Sequence, residues 1–138
     1  EAARVVLHAG ARVDMIGLDV TAPCVLTREE ERYACSFREG YRGFLSELGG
    51  IWMETSKSKK ITLHDPLAIA SLIDPVLLQM EEAPIDVEPA SGELRGLTVD
   101  MRHPFRQRFP IPAPNARIAV GVDAARARSF ILERIFES

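Results

Sequence analysis

Leu63-His64-Asp65-Pro66-Leu67 runs directly into Ala68-Ile69-Ala70-Ser71-Leu72-Ile73, and this stretch restricts the fold of the chain more strongly than any other. A proline suits the first helical position, because its fixed φ matches the helix and the N–H it lacks would be unpaired there. The sequence therefore predicts a helix with Asp65 as N-cap and Pro66 as first residue. The apolar run behind them makes it a buried helix. An imidazole and a carboxylate then stand side by side at its mouth, a place where catalytic groups are often held. Taken by itself, the tripeptide reads first as a capped helix with an incidental histidine.

The segments around it alternate between helical and extended patterns. Residues 2–8 read as a helix stopped at Gly10, and residues 13–17 as a short apolar strand. Leu18-Asp19-Val20-Thr21-Ala22-Pro23 follows as a loop at the carboxyl end of that strand, the edge where open α/β sheets bind ligands. Asp19 and Thr21 are nevertheless read as structural, with Asp19 fixing the loop through hydrogen bonds. Thr27 with Glu30 three residues on forms a capping box, and Glu29, Glu30 and Glu31 suit the positive end of the helix dipole. From Tyr41 through Phe44, Leu45, Leu48 and Ile51 to Met53 apolar residues recur at three and four, which predicts a helix with one face packed inward, weakened at Gly49-Gly50. The polar run Thr55-Ser56-Lys57-Ser58-Lys59-Lys60 reads as a solvated loop, or as a flap beside the His-Asp-Pro turn.

Beyond the central helix a further helical turn is expected through Val76, Leu77 and Leu78. Ile85-Asp86-Val87-Glu88 and Leu97-Thr98-Val99-Asp100-Met101 alternate as strands, and Pro89-Ala90-Ser91-Gly92 supplies turn residues for an antiparallel pair. A proline-rich loop spans residues 103–114, a strand residues 116–122, and Asp123 caps a last amphipathic helix carrying Phe130, Ile131, Ile135 and Phe136. The fold class is α/β, a layered domain with a mixed, partly parallel sheet.

A chain of 138 residues is one domain's worth, able to bury about two thirds of its unfolded surface. Residues 1–138 are accordingly expected to form a single domain. A net charge of −3 gathers neither nucleic acid nor anionic membrane, and no apolar run approaches the length of a bilayer span. The opening residues lack the regions of a signal peptide, so a soluble cytoplasmic protein is expected. Cys24 and Cys35 show neither metal-ligand spacing nor a disulfide framework and are expected as reduced thiols. His8 reads as a packed or surface residue. Arg102, His103, Phe105, Arg106, Arg108 and Phe109 could form a basic stacking patch for single-stranded nucleic acid, but the acidic chain and the crowded prolines favour an ordered surface loop. The first helix begins at Glu1-Ala2-Ala3 with no capping residue, so an upstream segment is expected to complete it.

Several separated pieces together resemble the C-terminal part of a nucleoside hydrolase of the inosine-uridine-preferring family. They are Glu1-Ala2-Ala3-Arg4-Val5-Val6-Leu7, Met15-Ile16-Gly17-Leu18-Asp19-Val20-Thr21, Leu63-His64-Asp65-Pro66-Leu67-Ala68, Arg95-Gly96-Leu97-Thr98-Val99-Asp100, and Pro114-Asn115 leading to Val122-Asp123. The resemblance implies cleavage of the N-glycosidic bond of ribonucleosides, with a calcium ion (Ca2+) gripping the ribose hydroxyls and activating water. It implies that Asp65 is a metal ligand and that His64 is the catalytic residue protonating the departing base. A group of pKa near 6.5 suits that role, because cleavage through an oxocarbenium-like state leaves negative charge on the heterocycle. Trp52 could cover a nucleobase in the complete enzyme, although a core or interface tryptophan is the other reading.

The family's N-terminal aspartate-rich loop, the source of most calcium ligands, has no counterpart among these residues. One carboxylate does not satisfy an ion that takes six to eight oxygens, so the chain alone is expected neither to bind calcium tightly nor to hydrolyse nucleosides. Two functions follow. The chain is the C-terminal segment of a calcium-assisted ribohydrolase acting on a ribonucleoside substrate, or it is a non-catalytic α/β interaction module that kept the scaffold without the chemistry. Either way, an incomplete sheet would expose apolar surface, and a homo-oligomer is expected.

Overall fold

A computed structural model describes residues 1–90, 92–102 and 110–137. In chain order the elements are helix α1 (Ala2–His8), strand β1 (Asp14–Met15), helices α2 (Leu18–Thr21), α3 (Arg28–Ala34), α4 (Gly40–Thr55) and α5 (His64–Ile73), a 3-10 turn (Pro75–Leu77), strands β2 (Leu78–Ala83), β3 (Ile85–Val87), β4 (Thr98–Asp100) and β5 (Ala116–Val122), and helix α6 (Ala124–Phe136). One sheet has the order β1-β5-β2, with β1 and β5 parallel. The bonds from Asn115 N–H to Ala83 O and from Asp123 N–H to Leu77 O run in opposite sequence directions, so β5 and β2 are antiparallel. The expected mixed, partly parallel sheet is what forms. By its contacts the chain divides into two compact units, Glu1–Ile16 with Met80–Val120 and Gly17–Gln79 with Gly121–Ser138.

In the first unit, Leu7 of α1 packs with Ala83, Ile85, Val87 and Ala116, and Val13, Met15 and Ile118 close the cluster. Asn115 holds this core together by acting as a substitute strand partner. Its Oδ1 accepts the Ile85 N–H at 2.7 Å, and its Nδ2 donates to Ile85 O at 2.9 Å and to Leu7 O at 3.3 Å. Asp14 and Arg117 are register partners across the parallel pair, and the guanidinium donates to both carboxylate oxygens at 2.8 and 2.5 Å. β3 and β4 pair antiparallel, Asp86 opposite Val99, as their alternation requires.

The second unit is helical, with a core of Val20, Cys24, Leu26, Leu63, Leu67, Ala70, Ala127 and Ile131. The capping box forms: Thr27 Oγ1 accepts the Glu30 N–H at 3.2 Å and Glu30 Oε2 accepts the Thr27 N–H at 2.6 Å. Asp123 caps α6 by accepting the Arg126 N–H at 3.1 Å. α4 seats itself on α3 through its small residues. Ser46, buried, donates to Ala34 O at 2.6 Å; against the segment leading into α4, a Cβ at Gly43 would stand 2.5 Å from the Arg38 carbonyl carbon, so only glycine permits that approach.

Four expectations are corrected. The face of α4 expected to pack inward is exposed, with Phe44 at 62% and Ile51 at 50%, because the helix turns Ser46 and Gly49 toward Ala34 and Cys35 at the end of α3 instead. The loop expected over residues 18–23 opens with α2, since Gly17 O accepts the N–H groups of Val20 and Thr21. The turn after α5 is a short 3-10 segment set by Asp74, whose side chain accepts the Val76 N–H at 3.2 Å; Leu78 already belongs to β2, a strand hidden from pattern reading because only its two ends are buried. Finally, Asp65 is not a cap. Leu63 is pinned by its N–H to Cys24 O, and its carbonyl accepts the Leu67 N–H, so α5 starts at His64 and Asp65 lies within its first turn. Ser91 of the expected turn and residues 103–109 of the basic patch lie outside the described residues. No helix among the described residues is long and apolar enough to cross a membrane.

Candidate functional site

The site is built where two chain segments are stitched by backbone bonds. Val25 and Thr62 form an antiparallel bridge flanked by Leu26 N–H to Ile61 O and Leu63 N–H to Cys24 O, each 2.9 Å. This brings the end of α2 against the start of α5. His64 Nδ1 and Thr21 Oγ1 meet there at 2.9 Å, 43 residues apart in sequence. Thr21 is buried at 3% exposure, whereas His64 and Asp65 are exposed.

Both exposed groups open onto a cavity of about 820 Å³ whose walls include Leu48, Trp52, Lys60 and Thr62. Trp52 is fixed by donating its indole N–H to Lys60 O at 2.8 Å, yet 54% of it remains exposed. It is therefore not a core tryptophan in this chain. The lysine-bearing segment is tied down locally: Ser56 and Ser58 hydroxyls lie 2.9 Å apart, the Lys59 N–H donates to Ser56 Oγ, and the Lys59 ammonium donates to Glu54 O. Lys59 adopts φ +51° to make this turn. An aromatic plane, an imidazole and a carboxylate facing one cavity suit a planar heterocycle carried on a polar group.

Asp65 keeps its carboxylate unspent on capping, and the helix dipole favours negative charge in the first turn. Calcium, however, takes six to eight oxygens, and the described residues present no cluster of three or more His, Cys, Asp or Glu side chains able to hold a metal. The described residues by themselves do not supply such a ligand set.

The structure thus brings His64 and Asp65 together in one cavity with Trp52. It also adds Thr21, which sequence reasoning left outside. The available signal was its place in the segment that follows the strand expected over residues 13–17, the kind of segment in which α/β sheets place ligand-binding groups. Asp19 lies exposed in the first turn of α2. His8 stands on the surface of the other unit, Nε2 3.3 Å from Asp86 Oδ1. A second concavity of about 740 Å³ in that unit is lined by Arg12, Glu82, Asn115 and Arg117, but Arg117 is occupied by Asp14 and Asn115 by backbone. Cys24 is buried and Cys35 partly so, and neither is in a disulfide.

The family model described as inosine-uridine preferring nucleoside hydrolase matches residues 1–129. A pyrimidine-specific ribonucleoside hydrolase RihA of Salmonella newport (strain SL254) is 31% identical over 140 residues, covering 98% of this chain and 44% of that protein. Among solved structures, the purine-preferring ribonucleoside hydrolase from Gardnerella vaginalis superposes with a TM-score of 0.79 at 30% identity, covering 98% of this chain and 43% of that one. The plant nucleoside hydrolase PpNRh1 shares the fold, with a TM-score of 0.84 at 23% identity over 100% of this chain and 45% of that one. The chain spans less than half the length of these relatives. Matched along almost all of its residues by one family, and carrying that family's fold, the chain belongs to the inosine-uridine preferring nucleoside hydrolases.

Proposed function

We propose that these residues are the C-terminal segment of a ribohydrolase that cleaves the N-glycosidic bond of ribonucleosides to free base and ribose. The observation that carries this reading is the pair His64 and Asp65, exposed on the first turn of α5 and opening together on the cavity walled by Trp52. In the proposed reaction the His64 ring gives a proton to the base nitrogen as the C1′–N bond breaks. The departing base leaves neutral, water forms the new C1′–O bond at the oxocarbenium-like ribosyl carbon and releases a proton to solvent, and His64 regains a proton from solvent. Trp52 supplies a flat apolar surface for the base. Asp65 is proposed as one oxygen donor to a calcium ion whose other ligands lie outside these residues, in the same polypeptide or an associated one.

Ribose release from inosine and uridine, measured with and without calcium, tests the reading. The polypeptide that contains this chain together with those ligands is expected to hydrolyse nucleosides, and His64→Ala is expected to lower kcat by about 10²–10⁴-fold. Asp65→Asn should weaken the calcium dependence. The 138 residues alone are expected to release no ribose. Robust release by the 138 residues alone would refute the shared calcium site, and an inactive complete polypeptide would favour a non-catalytic interaction module.

A further inference from the structure

We infer that Thr21 is a positioning residue for His64, its hydroxyl holding Nδ1 so that Nε2 is the ring nitrogen that exchanges a proton with substrate. The inference rests on the hydrolase reading above and adds to it a residue that determines how the imidazole is aimed.

Thr21, Glu31 and Ser46 are the buried polar or charged residues among those described. Each needs a partner, because burying a hydroxyl or carboxylate without one costs free energy that packing does not return. Ser46 donates to Ala34 O and Arg42 O, and Glu31 accepts from Arg28. Thr21 has the imidazole, at 2.9 Å. Valine would fill the same volume, so a threonine here is explained by its oxygen. That oxygen is held firmly: the Thr21 N–H donates to Gly17 O, Thr21 O accepts the Cys24 N–H, and Cys24 O accepts the Leu63 N–H one residue before the histidine. Hydroxyl and ring are thus carried on two ends of a single hydrogen-bonded backbone path.

A hydroxyl has a property here that a carboxylate or an amide lacks. It donates to Nδ1 of a neutral ring and, turned about its C–O bond, accepts from Nδ1–H of a charged one. With the ring neutral, the buried hydroxyl hydrogen is satisfied by Nδ1, which leaves the ring proton on Nε2. With the ring charged, Nε2–H is the bond that breaks on transfer to the base, and the remaining Nδ1–H is held by the threonine oxygen. The imidazole therefore keeps one orientation through gain and loss of a proton. A carboxylate in this place would accept only, and would favour the charged ring.

The test uses ring ¹⁵N NMR of His64 in the chain and kinetics in the complete hydrolase. In the wild type, neutral His64 is expected as a single tautomer with Nδ1 unprotonated; an averaged mixture of tautomers overturns the inference without any variant. Thr21→Val should relax the ring toward the mixture of free histidine and lower kcat about 10- to 100-fold, with KM changed less than about twofold. Thr21→Ser should restore both readouts. A Thr21→Val spectrum and kcat that match the wild type refute the positioning role. A tautomer change in Thr21→Val alongside full activity of His64→Ala would instead refute the catalytic reading of His64 while leaving the hydrogen bond intact.

Discussion

Cys24 and Cys35 have the same chemistry and different surroundings. Cys24 is fully buried, its thiol 3.6 Å from Val20 O, and burial pushes its pKa up against the opposing field of Arg128. Cys35 is partly exposed; burial and Glu31 also raise its pKa while Arg38 opposes them. Reactivity follows thiolate fraction and access together. Iodoacetamide at pH 8 is expected to label Cys35 in the native chain at least about tenfold faster than Cys24, with equal labelling after unfolding. Fast native labelling of Cys24, read by peptide mass spectrometry, would contradict the packing of α2 described above. At this scale the sequence showed which residues could do chemistry, and His64 and Asp65 were legible as a pair because covalent adjacency keeps them together. Thr21 and Trp52 were not separable from ordinary structural residues, since their meaning lies in what they touch.

Among the elements, α3 is the one whose sequence and structure agree most closely, because a capping box is closed within four residues. Thr27→Ala is expected to cost about 1 kcal/mol, within the usual 0.5–2 range, measured by urea unfolding. Glu30 has a second partner, Arg128 of α6, whose Nε donates to it at 3.0–3.1 Å. Burial raises the Glu30 pKa, but the Thr27 amide and Arg128 outweigh it and the net shift is downward. Asp14 is lowered by Arg117, and Asp86, where burial raises the pKa, is lowered overall by the Val87 N–H, His8 and Arg4. For each carboxylate the folded pKa lies below the unfolded one, so its stabilisation is complete above the ordinary carboxylate range of about 4 and is lost as the pH falls through the folded value. The urea midpoint is expected to hold above about pH 5 and to drop steadily below about pH 4, and Glu30→Gln should flatten part of that drop. A midpoint that does not change on acidification would mean that these pairs contribute nothing to stability. α4 is the counterexample at this scale. Its apolar periodicity specifies a helix but not a packed face, because periodicity states which side is greasy and not whether anything covers it.

Over the whole molecule, the exposed apolar side chains Phe44, Leu48, Ile51 and Trp52 on α4 and Ile69, Leu72, Ile73 and Val76 around α5 exceed the scattered surface residues of an ordinary monomer. We expect the 138-residue chain to self-associate, its mass by light scattering rising with concentration; a stable monomer would refute this. Sequence by itself determined the features closed over short separations: the caps at Thr27 and Asp123, the alternating strands β3, β4 and β5, and the imidazole beside the carboxylate at the start of α5. Backbone hydrogen bonding and side-chain period act within a turn or two, so they are written locally. Tertiary structure alone decided that α5 starts two residues early, at His64, that a threonine 43 residues away grips the histidine, and that the tryptophan faces the cavity. Those outcomes depend on which distant backbone groups pair across the Val25–Thr62 bridge, a choice made by closing the chain on itself and not by any stretch of it alone.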